Sequence, residues 1–148
     1  GVARGYLGRP DLTAEATYAR GWLRTGDVAT MDNDGYLYVV DRAKELIISG
    51  GENIYPAQVE RAIQRHDGVL EVAVIGVPDP LWGESVKAYV VRKPGRDVDE
   101  KAISDTAARY LASYQKPKFV EFLDELPKTS AGKIEKRALR QRPPSGAA

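Results

Sequence analysis

From Leu46 onward, apolar residues come in short runs separated by polar, turn-forming stretches, and the spacing inside each run points to its element. Leu46-Ile47-Ile48 is a short strand entering Ser49-Gly50-Gly51. Pro56 suits the first turn of a helix, where its missing N–H costs nothing. Val59, Ala62 and Ile63 follow at helical spacing, and Asp67-Gly68 ends the run. Val72 to Val77 is apolar throughout and Val86 to Val91 is broken only by Lys87, so both are predicted strands, paired with each other. Asp97 or Asp99 can cap a second helix that reaches Leu111, with Ile103, Ala107, Tyr110 and Leu111 facing inward. Phe119 to Leu123 reads as a third strand and Ile134 to Arg142 as a last, basic helix. Strands alternating with helices predict a small α/β (or α+β) domain, a short sheet flanked by helices.

The first 40 residues follow another pattern. Gly8-Arg9-Pro10-Asp11 reads as a turn, Asp32-Asn33-Asp34-Gly35 as a hairpin turn, and Tyr36 to Val40 as a β-prone run behind it. The charge then rises over Asp41 to Lys44, and the boundary is placed there. The expected organisation is a β-rich segment over 1–41, a second domain over 42–142, and a disordered tail over 143–148 that begins Pro143-Pro144-Ser145-Gly146. A readable sequence that starts at Gly1 is expected to be a fragment of a longer protein.

Composition narrows the chemistry. With 22 basic and 21 acidic residues interspersed, the net charge of +1 offers no basic stripe for nucleic acid. No apolar run approaches the roughly 18 residues of a membrane helix. With no cysteine and only His66, thiol catalysis, thiolate metal sites and histidine clusters are excluded, and no metal site is expected. His66 reads as a partner for a helix dipole. Trp82 reads as a buried aromatic and Glu84 as a loop-bracing carboxylate, both within Pro78-Asp79-Pro80-Leu81-Trp82-Gly83-Glu84.

Four short motifs carry the candidate chemistry. Pro127-Lys128-Thr129-Ser130-Ala131-Gly132-Lys133 presents a lysine behind a glycine that permits a tight turn. Aimed at a centre where negative charge builds in a transition state, such a cation contributes on the order of 10²- to 10³-fold in rate; the alternative is a solvated lysine in a surface turn. Asp27, ending Gly21-Trp22-Leu23-Arg24-Thr25-Gly26-Asp27, can accept hydrogen bonds from two adjacent hydroxyls or simply satisfy a turn. Arg42, in Asp41-Arg42-Ala43-Lys44, offers a permanently charged fork of donors; its plain reading is a surface pair with Asp41 or Glu45. Ser49-Gly50-Gly51-Glu52-Asn53 is neither a Walker loop nor a dinucleotide fingerprint. It is either a tight hairpin turn of positive φ or a backbone passage kept clear of side chains.

In this order and over about Gly5 to Arg140, the four motifs resemble the C-terminal end of the adenylate-forming ligases, the superfamily of acyl-CoA synthetases, luciferases and peptide-synthetase adenylation domains. The stretch Gly51-Glu52-Asn53-Ile54-Tyr55-Pro56 is similar to ligases of fatty and aryl acids. The resemblance implies that 1–41 is the end of a large N-terminal AMP-binding domain and that 42–142 is a mobile C-terminal domain turning about a hinge near Lys44. It implies that Lys133 serves adenylation, that Asp27 and Arg42 hold ATP or AMP, and that Gly50 and Gly51 let the pantetheine of CoA pass. The partners implied are the N-terminal domain, a small carboxylic acid, ATP and CoA, with Mg²⁺ bound outside this chain. A cytoplasmic location follows, free or peripheral at a membrane. The chain alone is expected to be inactive. Two alternatives stand: an adenylation domain serving a carrier protein, and a non-catalytic α/β binding module.

Overall fold

The computed structural model describes residues 2–18 and 21–142, so the tail expected over 143–148 lies outside the described residues. The chain forms two compact units, one running up to Lys44 and one from Glu45 on.

The first unit contains helix α1 (Pro10–Ala16) and an antiparallel hairpin of β1 (Asp27–Met31) and β2 (Leu37–Arg42). The hairpin turn falls at Asp32, whose carboxylate accepts from the amides of Asp34 and Tyr36 and from the Tyr38 hydroxyl. The helix corrects the reading of this segment as turn and strand. Pro10 sits at the start of α1 rather than in an isolated turn, and Arg9 pairs with Asp11 across that start. Pro and an early acidic residue are helix-start signals as much as turn signals.

The second unit is built on a five-stranded sheet. Strands β5 (Val69–Asp79) and β6 (Gly83–Arg92) form a long antiparallel hairpin in which Val74 faces Ala88. Strand β7 (Phe119–Phe122) lies parallel to β6. A small hairpin of β3 (Ile47–Ser49) and β4 (Glu52–Ile54) joins the same side of β6 through Ser49 and Gly83. Helices α2 (Pro56–Ile63) and α3 (Glu100–Ala108) complete one layer, and α4 (Lys136–Arg140) lies against β5.

Both faces of the β5–β6 hairpin are covered, which explains its near-continuous apolar runs. Val72, Val74, Val86, Ala88 and Val90 pack on one face with Val59, Ile63, Ile103 and Ala107. Ala73, Ile75, Tyr89 and Val91 pack on the other with Leu126 and Leu139. Each such Val, Ile or Leu contributes roughly 1.5–3 kcal/mol by leaving water. Asp99 caps α3, accepting from the Ala102 amide at 2.7 Å.

Several elements end sooner than expected. Helix α3 stops at Ala108, and Tyr110 is 52% exposed beneath the Arg65 guanidinium instead of facing inward. The last helix covers only Lys136–Arg140, because Ile134 is taken by a bridge to Lys128. His66 lies past the end of α2, and its Nδ1 accepts from the Gly68 amide. The imidazole thereby closes the turn that follows α2. Among the described residues no helix is long and apolar enough to cross a membrane.

Candidate functional site

Asp27 opens β1 and Arg42 closes β2, directly opposite each other in the hairpin register. That pairing brings the Arg42 Nε within 2.9 Å of Asp27 Oδ1, while another guanidinium nitrogen donates to the Thr25 carbonyl at 3.3 Å. The ion partner of Arg42 is therefore Asp27, not Asp41 or Glu45; the Asp41 carboxylate accepts instead from the Arg42 backbone amide. An exposed carboxylate steered by a guanidinium offers acceptors for a diol and donors for a phosphate within one small surface.

The glycine motif turns between β3 and β4. Gly50 and Gly51 have φ of +58° and +85°, the left-handed pair that a two-residue hairpin of right-handed twist requires. The two positions differ in their surroundings. A Cβ on Gly50 would stand 2.8 Å from the Trp82 ring, whereas one on Gly51 would meet nothing within 4 Å. The Gly50 amide also donates to the Trp82 carbonyl at 2.8 Å. Gly50 is thus a seat for an indole, and Gly51 is the open position. Trp82 is 52% exposed rather than buried, because its ring lies on the hairpin and not in the core. Glu84 does brace this region: its Oε2 accepts from the Ile48 amide at 2.8 Å.

Beside the hairpin lies a cleft of about 380 Å³ lined by Gly50, Trp82, Ser113, Tyr114, Lys116 and Lys118. Two aromatic residues and two lysines thus share its lining. The cleft is held by Asp79, whose side chain is 3% exposed. Lys118 reaches Asp79 Oδ2 at 2.6 Å, Ser85 Oγ donates to the same oxygen, and the Leu81 and Trp82 amides donate to Oδ1. Lys118 first, then Ser85 and the Leu81 amide, hold the Asp79 carboxyl well below the usual carboxylate range. Asp79, Tyr114, Lys116 and Lys118 were not singled out from the sequence. The partners of Asp79 and Lys118 lie 39 residues apart, and no local spacing signals such a pair.

Lys133 follows the tip of a hairpin over 127–135. The Thr129 amide donates to the Lys133 carbonyl, the Lys133 amide to Thr129 Oγ1, and the Glu135 amide to the Pro127 carbonyl. Gly132, with φ of +77° and no neighbour where a Cβ would be, makes the turn. Lys133 is exposed, as is Lys44, which lies in a 3₁₀ turn over Ala43–Glu45. The hairpin base is fixed by Leu126, Ile134 and Leu139 in the core and by Lys128 on Glu71 at 2.8 Å. Among the described residues no group of three or more histidines or carboxylates stands close enough together to hold a metal ion.

The small mixed α/β unit, with its glycine hairpin and its lysine hairpin, has the fold of the C-terminal domains of adenylate-forming ligases. The family of AMP-binding enzyme C-terminal domains matches residues 58–133, and the chain belongs to it. A feruloyl-CoA synthase of Amycolatopsis sp is 53% identical over 95% of this chain, and a long-chain-fatty-acid–CoA ligase of Bacillus subtilis is 48% identical over 93%. The solved structure of o-succinylbenzoate CoA synthetase (MenE) from Bacillus subtilis, in complex with its acyl-adenylate intermediate, superposes with a TM-score of 0.88 at 38% identity. It covers 96% of this chain and 29% of that one. The chain spans 28% and 24% of the lengths of the two curated relatives.

Proposed function

We propose that this chain is the C-terminal part of an ATP-dependent acyl-CoA synthetase, which converts a carboxylic acid to acyl-AMP and then to the CoA thioester. The observation that carries the reading is the glycine hairpin beside a cleft of two aromatic rings and two lysines. Pantetheine is a narrow, flexible arm, and Gly51 leaves the backbone bare for it. The nucleotide end of CoA carries a purine and phosphates, which suit Trp82 and Tyr114 faces flanked by Lys116 and Lys118.

In the first half-reaction the carboxylate oxygen attacks the α-phosphorus of ATP and pyrophosphate leaves. Lys133 neutralises the charge that builds on the α-phosphate, while Asp27 takes the ribose hydroxyls and Arg42 orients Asp27. In the second, the CoA sulfur attacks the acyl carbon and AMP leaves. The two loops act in turn as the domain pivots at Lys44, a gating role that needs an exposed, pliable residue rather than a reactive one. Mg²⁺ would be held by the large N-terminal domain, which is also the obligate partner. The protein is placed in the cytoplasm, free or at a membrane surface.

The acyl group is set outside this segment. Its relatives are named for acids as different as ferulate and long-chain fatty acids, at nearly equal identity. The test is pyrophosphate release by the full-length enzyme across a panel of carboxylic acids, with and without CoA. Pyrophosphate release with CoA-dependent thioester formation is expected. Release without thioester would move the reading to another acceptor such as a carrier protein. Neither signal from a folded, ATP-binding protein would leave a non-catalytic binding module.

A further inference from the structure

The lysine hairpin is well formed internally, but its own hydrogen bonds say nothing about where its tip points. That depends on its attachments, and one of them is a buried ion cluster. Lys136, three residues beyond Lys133 and the first residue of α4, has a side chain only 14% exposed. Its ammonium lies 2.8 Å from Glu45 Oε2 and 2.8 Å from Glu60 Oε1. Glu60 is itself fixed, since the same Oε1 accepts from the Val74 amide of β5 at 2.8 Å. Burial opposes the Lys136 charge, yet Glu60 and Glu45 outweigh it and raise its pKa, so the lysine stays cationic.

The cluster therefore joins three places: the sheet edge through Glu60, the end of the lysine hairpin through Lys136, and the residue next to Lys44 through Glu45. We infer that Lys136 is a positioning residue for adenylation, one that clamps the Lys133 hairpin to the sheet and to the segment beside Lys44 so that hairpin and pivot move as one body. This rests on the reading of Lys133 as the adenylation lysine. Lys136 touches no substrate; it acts by fixing direction. A misplacement of about 1 Å at a reacting group costs on the order of 10²-fold in rate.

The experiment uses the full-length enzyme with Lys136→Gln, Lys136→Arg, Glu45→Gln and Lys133→Ala. Three quantities are measured: pyrophosphate release, thioester formation from preformed acyl-AMP, and amide exchange of peptides covering 127–135, with β6 peptides as control. Lys136→Gln is expected to lower pyrophosphate release about ten-fold or more while thioester formation changes less than about two-fold. Exchange should rise over 127–135 and not in β6. Lys136→Arg should recover most of both signals, and Glu45→Gln, which keeps the Glu60 contact, should fall between wild type and Lys136→Gln. Unchanged exchange over 127–135, equal loss of both half-reactions, or an arginine no better than glutamine would each overturn the inference. If Lys136→Gln fails to fold, the same comparison is made on Glu45→Gln against wild type. If Lys133→Ala leaves pyrophosphate release intact, the functional reading falls on its own, and the exchange data alone decide whether Lys136 clamps the hairpin.

Discussion

Replacing Gly50 by alanine is expected to cost more stability than replacing Gly51, although the two residues are neighbours in one turn and both have positive φ. An alanine held in the left-handed region costs about 1–2 kcal/mol at either position. At Gly51 that is the whole effect, because the space around its Cβ position is empty. At Gly50 the new methyl would also lie 2.8 Å and 3.2 Å from two carbons of the Trp82 ring. Forcing a methyl into occupied space costs about 1–3 kcal/mol. Trp82 is half exposed and can yield, so the low end applies, about 1 kcal/mol more than at Gly51. With a urea slope of about 2 kcal/mol per molar, the two unfolding midpoints should differ by about 0.5 M. Equilibrium unfolding followed by tryptophan fluorescence in a Trp22→Phe background reads this directly, since Trp82 is then the sole indole. Repeating the pair in a Trp82→Ala background should erase the difference, with tryptophan fluorescence replaced by far-UV circular dichroism as the probe. Coincident midpoints, or a difference that persists without the indole, would refute the assignment of Gly50 as the ring's seat.

Asp99→Ala should lose the cap of α3 and about 1 kcal/mol, read as a lower unfolding midpoint. Ile75→Ala removes a fully buried side chain between the sheet and Leu139, and should cost about 2–5 kcal/mol in the same assay. Asp79 has its pKa lowered on folding, so its contribution is complete above the unfolded carboxyl value near 4 and fades as the pH falls toward the folded value. Asp79→Asn should therefore be less stable than wild type at pH 7, with the gap narrowing steadily below about pH 4. A gap that is constant from pH 7 to pH 2 would show that the Asp79 charge does not matter to folding.

The elements legible in the sequence were those whose signal is local. Pro56 at a helix start, the Asp99 cap and the unbroken apolar runs of β5 and β6 all carry their cause within a few residues. Strand β4 was not legible, because Glu52-Asn53-Ile54 has no apolar alternation and is a strand only by pairing with β3. Tyr110 and Trp82 were placed inward because aromatic rings bury well, but each found a surface partner, a guanidinium in one case and a glycine backbone in the other. The glycine and lysine hairpins could be seen as motifs, and their turns follow from Gly50, Gly51 and Gly132. What orients them could not. Asp79 with Lys118, and Lys136 with Glu45 and Glu60, are brought together only by the folded sheet.

Strand β5 is eleven residues long and has a sheet neighbour on one side only. Left bare, such an edge is a template on which a second chain can add its own strand. Here Glu60 occupies the Val74 amide, and α2 and α4 both pack along the strand. By taking the Val74 amide, the Glu60 carboxylate denies an incoming strand one of the hydrogen bonds that the bare edge would offer.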